Sequence, residues 1–220
     1  TGDPGMVRSP AGVISLDKAT DAAGGESADV RRLAYLNAAF ETGIANPLDA
    51  AIVAAGEAAG LSTQGWRKID EIPYDFLRKR LTIALAAEPD SGRHLLVTKG
   101  AFAETMQICG SARRDGAVVP LTPELRGEIE AYYQDRGGAG FRLLALATRE
   151  APARAQHSRD DEAGMVFEGF LHFFDPPKAD AGATLKSLAA LGIRTKVISG
   201  DNRYVTRHLA EAIGYRRLER

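Results

Sequence analysis

Residues 165–202, MVFEGFLHFFDPPKADAGATLKSLAALGIRTKVISGDN, decide how the rest of the chain reads. Residues 166–174 are apolar and aromatic, as a buried strand should be, and Asp175-Pro176-Pro177 ends the run because proline cannot donate to a ladder. Residues 179–191 then place Leu185, Leu188 and Ala189 on one helical face, with Gly192 as the C-cap. Residues 195–198 read as a second short strand ending in Ser199-Gly200-Asp201-Asn202. Strand, helix and strand in this order predict a βαβ crossover with two parallel strands. Each strand would deliver an aspartate, Asp175 or Asp201, to one sheet edge, where open α/β sheets bind ligands.

Working back toward the N-terminus, the pattern changes to helices mixed with antiparallel strands. Residues 13–16 suit a short strand, followed by an exposed turn that holds Asp17-Lys18-Ala19-Thr20 and a Gly-rich stretch at 21–27. Ser27 is a natural N-cap for a helix to Thr42, with Val30, Leu33, Ala34, Asn37 and Phe40 on one face. Asn46-Pro47-Leu48-Asp49 opens another helix, Pro47 suiting its first turn, and residues 54–62 read as a turn or loop. Residues 66–73 are a charged approach; 81–87 and 93–98 read as a hairpin, and a helix follows Lys99-Gly100-Ala101 through Cys109. A short strand at 117–121, a helix at 123–136, an apolar strand at 141–148 and a polar loop at 151–164 complete the pass. The expected division is a linker at 1–12, one domain over 13–168 and an incomplete second unit over 169–220.

Composition narrows the function. The chain has 220 residues, 45% apolar, so a packed core is affordable; 28 basic against 29 acidic residues argue against a nucleic-acid partner. Cys109 is the single cysteine, which excludes an internal disulfide, and His94, His157, His172 and His208 are scattered as structural or surface residues rather than clustered as zinc ligands. No apolar run reaches the ~20 residues of a membrane helix, and residues 1–10 lack the apolar core of a signal peptide. No GxxxxGK[ST] loop occurs, so any phosphate binding is not of the Walker kind.

DPPK followed at the right distance by SGDN resembles the phosphorylation domain of P-type ATPases, which has a haloacid-dehalogenase-type fold. Four upstream segments, in family order, are similar to the nucleotide-binding domain of the same family. They are Asn46-Pro47-Leu48-Asp49, the run from Pro73 to Thr82 (PYDFLRKRLT), Lys99-Gly100-Ala101, and the Arg142-containing strand FRLLALA. The implied fold is α/β: an α+β nucleotide-binding domain with an antiparallel sheet flanked by helices, then a partial Rossmann-like βαβ unit. MVFEGFLHFFDPPKADAG and WRKIDEIPYDF look most like the bacterial magnesium-transporting members.

The resemblance implies ATP and Mg²⁺ as cofactors. An aromatic ring would stack on adenine, either Tyr74 or Phe76. Lys79 and Lys99 would meet the purine edge or the phosphates, Gly100 would let the base approach the backbone, Asp49 would accept from the adenine amino group, and Arg142 would reach the β-phosphate region. Asp175, Ser199 and Gly200 would support the phosphorylation site, and Asp201 would help hold Mg²⁺. The partners implied are ATP, the remaining phosphorylation, actuator and membrane domains of a parent chain, and a transported cation. That makes the chain a cytoplasmic portion of an inner- or plasma-membrane protein. Asp17 imitates the start of the family's phosphorylated DKTGT motif, but Ala19 replaces its first threonine and the glycine and second threonine are missing. The expectation is therefore that the acceptor aspartate lies upstream and that this chain binds ATP without turnover. Calcium, proton or other cation pumps and a haloacid-dehalogenase-type phosphatase are the alternatives. The phosphatase would need a DxD nucleophile loop that the sequence does not contain.

Overall fold

The computed structural model describes residues 14–43, 46–89, 91–174, 180–199 and 203–215. The described residues build one eight-stranded sheet covered by helices on both faces. Its strands are β1 (Ser15–Asp21), β2 (Trp66–Ile72), β3 (Arg80–Ala87), β4 (Arg93–Gly100), β5 (Cys109–Arg114), β6 (Ala117–Pro120), β7 (Phe141–Pro152) and β8 (Met165–Phe174). They run in the order β2-β3-β4-β7-β8-β5-β6, with β1 paired to β8 off this path. All pairings are antiparallel except β5 with β8.

Strand alternation divides the core between two helical layers. Ile83, Leu85, Val97, Leu146 and Leu171 face α1 (Ala28–Phe40) and α2 (Pro47–Ala58), meeting Val30, Leu33, Leu36 and Ile52. Ala84, Leu96, Ala145, Phe167 and Phe170 face α3 (Phe102–Met106) and α4 (Pro123–Gly138), meeting Phe102, Met106, Leu125 and Ile129. The capping residues act as their chemistry dictates: the side chains of Ser27, Asn46 and Thr122 accept from the Val30, Leu48 and Leu125 amides at the starts of α1, α2 and α4.

Strand β8 corrects the expected βαβ unit. One edge pairs with β7; the other pairs with β5 over Met165–Phe167 and with β1 over Gly169–Phe174. Both edges are thus filled, and β8 has no side on which residues 195–198 can lie parallel to it. Residues 193–199 form no strand, although α5 (Ala181–Ala190) is present between them and β8 and α6 (Arg203–Ala212) follows. The strand also runs unbroken through Glu168 and Gly169, where the sequence divides 13–168 from 169–220. Gly169 sits where β8's neighbour changes from β5 to β1, with φ 153°, and an added Cβ would lie 1.9 Å from the Thr20 carbonyl oxygen. Only glycine lets β1 come that close.

Three local expectations also change. Asp17-Lys18-Ala19-Thr20 is not an exposed turn but part of β1, with Ala19 and Thr20 buried and a bulge between Leu16 and Lys18. Helix α2 continues to Ala58 through the small-residue stretch, and the helix after Lys99-Gly100-Ala101 stops at Met106 so that Cys109 begins β5.

Candidate functional site

The sheet register collects the singled-out residues at one end. Arg80 pairs with Gly100, Gly100 with Ala145, and Phe141 with Phe174. The β2–β3 loop at 73–79, the C-terminal end of β4, the start of β7 with Arg142, and the exit of β8 therefore share one sheet end.

The 73–79 loop is built around Asp75. Its carboxylate accepts from the Leu77 amide at 2.9 Å and the Arg78 amide at 2.7 Å, and its carbonyl accepts from the Lys79 amide at 2.8 Å. The Arg78 amide, followed by its guanidinium, holds the Asp75 carboxyl down at about 2, so the turn keeps its charge across the physiological range. Two aromatic rings project from this turn. Tyr74 is 50% and Phe76 87% exposed, and they meet edge to face at 5.7 Å. Exposed aromatic area of this size is a ready stacking surface.

Lys79 adopts φ 46°, unusual for a residue with a Cβ, and its ammonium donates to Glu104 at 2.9 Å. Its carbonyl accepts from the Ala101 amide at 2.9 Å, which fastens the loop to the end of β4. Gly100 has a structural reason to be glycine: an added Cβ would lie 2.6 Å from the Lys79 carbonyl oxygen and 2.4 Å from the Arg80 Cβ. The close backbone approach at Gly100 is thus to the 73–79 loop.

Lys99 and Asp49 meet directly. Asp49, in the first turn of α2, forms an ion pair with the Lys99 ammonium, and Glu41, the C-cap of α1, adds a second carboxylate at 3.4 Å. Lys99 and Asp49 are buried. Burial pushes the Glu41 carboxyl up to about 7, against the pull of Lys99 and with the help of Asp49. One ammonium flanked by two carboxylates offers a hydrogen-bond donor beside acceptors.

Tyr74 and Phe76 thus come together, as do Lys99 and Asp49, with Lys79 and Gly100 linking the two groups. Arg142 lies on β7 at the same sheet end. Ser199 falls in the irregular segment 193–199. Asp175, Gly200 and Asp201 lie outside the described residues. Among the described residues no three His, Cys, Asp or Glu side chains group as a metal site, and no helix is long and apolar enough to cross a membrane.

Sequence reasoning missed Glu41, Glu104 and Glu162. Glu162 reads as one more charge in the polar run SRDDEAG, yet its side chain is fully buried against Arg78 and Arg80. The local signal for its surroundings was Ser158 three residues before Asp161, a capping box that closes a 3₁₀ turn at Arg159–Asp161.

A family model described as "P-type ATPase, cytoplasmic domain N" matches residues 35–180. The chain is 37% identical, over 91% of its length, to "Magnesium-transporting ATPase, P-type 1" of Salmonella typhimurium (strain 14028s / SGSC 2262) and 36% identical, over the same share, to that of Escherichia coli (strain K12). It spans 22% of the length of each of these relatives. A more distant relative, "Sodium/potassium-transporting ATPase subunit alpha-3" of Oreochromis mossambicus, is 27% identical over 67% of this chain and 16% of its own length.

Proposed function

This chain belongs to the P-type ATPases through their cytoplasmic N domain, and from that premise we propose that it is the ATP-binding part of a cation pump. The observation that carries the reading is the convergence of an exposed aromatic turn, Tyr74 and Phe76, with the Lys99–Asp49–Glu41 cluster at one sheet end. An exposed ring offers a face to a purine, and base stacking on aromatic side chains contributes roughly 1–3 kcal/mol. Beside it, the Lys99 ammonium would donate to a purine ring nitrogen while Asp49 accepts from the adenine amino group. Guanine carries an oxygen where adenine carries that amino group, so a carboxylate there disfavours it. Lys79, released from Glu104, and Arg142 would turn toward the phosphates.

Asp175, Ser199, Gly200 and Asp201 would serve the phosphorylation site in the parent, Asp201 toward Mg²⁺. Asp17 is a poor acceptor in this reading, because it lies inside β1 and lacks the threonines and glycine of the family motif. The 220-residue chain would then bind ATP without forming an acyl-phosphate, since phosphoryl transfer requires the acceptor in line with the γ-phosphate. The remaining phosphorylation, actuator and membrane domains would supply turnover and transport, with this part on the cytoplasmic side. Relatives at 36–37% identity support Mg²⁺ as the cation; the more distant sodium/potassium relative supports the family more than the ion. Calorimetric titration with ATP and GTP tests the slot. ATP should bind in the ~0.1–5 mM range expected of one shallow site, with GTP weaker. Equal affinity for the two, or loss of ATP binding in Asp201→Ala, would contradict it.

A further inference from the structure

We infer that Glu162, on the β7–β8 connection, is the positioning residue that holds the aromatic turn ready for nucleotide, by clamping Arg78 and Arg80 on either side of Lys79. The inference rests on the adenine-slot reading for its purpose but on independent geometry for its mechanism.

Arg78 Nη1 donates to both Glu162 carboxylate oxygens, at 2.7 and 2.6 Å, and Arg80 Nε donates to one of them at 2.9 Å. The Thr82 hydroxyl donates to the other at 2.7 Å and is itself bonded to the Thr98 hydroxyl at 2.7 Å. The carboxylate is fully buried, and the two guanidinium side chains are only 11–12% exposed. A buried carboxylate with this many charge-assisted bonds is fixed in place, and it fixes what it holds.

What it holds is the loop. Arg78 spends its remaining donors on the same turn, giving Nε to Asp75 at 2.5 Å and Nη2 to the Pro73 carbonyl at 2.6 Å. Asp75 also faces Arg159 at 3.3 Å, from the 3₁₀ turn just before Glu162. Lys79, between the two clamped arginines, keeps its positive φ, a conformation that persists only where the surroundings impose it. Among the described residues Tyr74 and Phe76 make no comparable anchor themselves; Tyr74 is half exposed and Phe76 largely so. The turn, closed locally by Asp75, is therefore anchored to the sheet by a residue more than eighty positions away in sequence. A stacking platform fixed before binding avoids the ordering cost that a loose loop would incur on meeting its ligand.

The test compares wild type with Glu162→Gln, Glu162→Asp, Arg78→Lys, Tyr74→Ala and Phe76→Ala in the full 220-residue chain, by amide hydrogen exchange and ATP titration. In Glu162→Gln and Arg78→Lys, the amides of Leu77, Arg78 and Lys79 should exchange roughly ten-fold faster while those of Ile83 and Val97 stay protected. The ATP dissociation constant should rise about ten-fold, with Glu162→Asp between, and saturating ATP should restore slow exchange to the loop alone. A general loss of structure would expose the strand amides and would not be reversed by ligand. If Glu162→Gln does not fold, Arg78→Lys carries the comparison. Unchanged loop exchange overturns the inference, and so does a loosened loop with unchanged ATP affinity. Wild-type affinity in both Tyr74→Ala and Phe76→Ala would overturn the adenine slot instead, and the exchange data would still decide whether Glu162 shapes the turn.

Discussion

At Lys99 one ammonium is shared by two carboxylates, and the surplus negative charge falls on Glu41. Its carboxyl takes up a proton near pH 7 in the folded chain and near 4.5 in an unfolded one. Between those values the folded state binds more protons, so Glu41's contribution is fully present below about 4.5 and is lost as pH rises through about 7. Glu41→Gln should therefore flatten the fall in thermal stability over that window by no more than about 3 kcal/mol. Melting curves at intervals across it check this. A variant with the same slope as wild type would show that the proton sits elsewhere. Asp49 and Lys99, which the structure brings into contact, stand out in the sequence because they fall in short segments with recognisable order. Glu41 does not, since nothing in Phe40-Glu41-Thr42 distinguishes a helix C-cap that turns inward from one that faces solvent.

Among the elements, β8 ties the sheet together, pairing with β7 on one edge and with β5 and β1 on the other. Its two halves have different neighbours on the same edge, and the change occurs at Gly169 against the Thr20 carbonyl. Gly169→Ala should cost about 3 kcal/mol or more, because backbone and not a flexible side chain stands in the way. Urea unfolding with matched m-values measures it, and a loss below about 1 kcal/mol would mean β1 can withdraw without penalty. Helices α1, α2 and α4 were readable because their caps and apolar faces are local signals. Strand β2 was hidden by its charges: WRKIDEI lies at the sheet edge, where Lys68 reaches the Phe40 carbonyl and Glu71. The parallel partner expected at 195–198 failed for the opposite reason. Its apolar pattern is strand-like, but pairing depends on whether β8 has an open edge, which no local pattern records.

For the whole molecule, we propose that the junction between the two units lies after Phe174, where β8 ends. Helix α5 buries none of its residues and α6 buries only Ala210 among those described, whereas β8 is buried nearly throughout. Limited proteolysis should accordingly remove the region beyond Phe174 and leave a resistant core reaching back to β1. A first cut between Met165 and Phe174 would contradict the place of β8 inside the sheet.

The adenine slot is tested most directly by following ATP binding in wild type, Tyr74→Ala, Tyr74→Phe and Phe76→Ala by NMR titration. Stacking on Tyr74 predicts that Tyr74→Ala weakens ATP by roughly ten-fold or more while Tyr74→Phe, which keeps the ring, stays near wild type. Loss in Phe76→Ala alone would move the stacking role two residues along. Unchanged affinity in both alanine variants would mean that the aromatic turn does not receive the nucleotide.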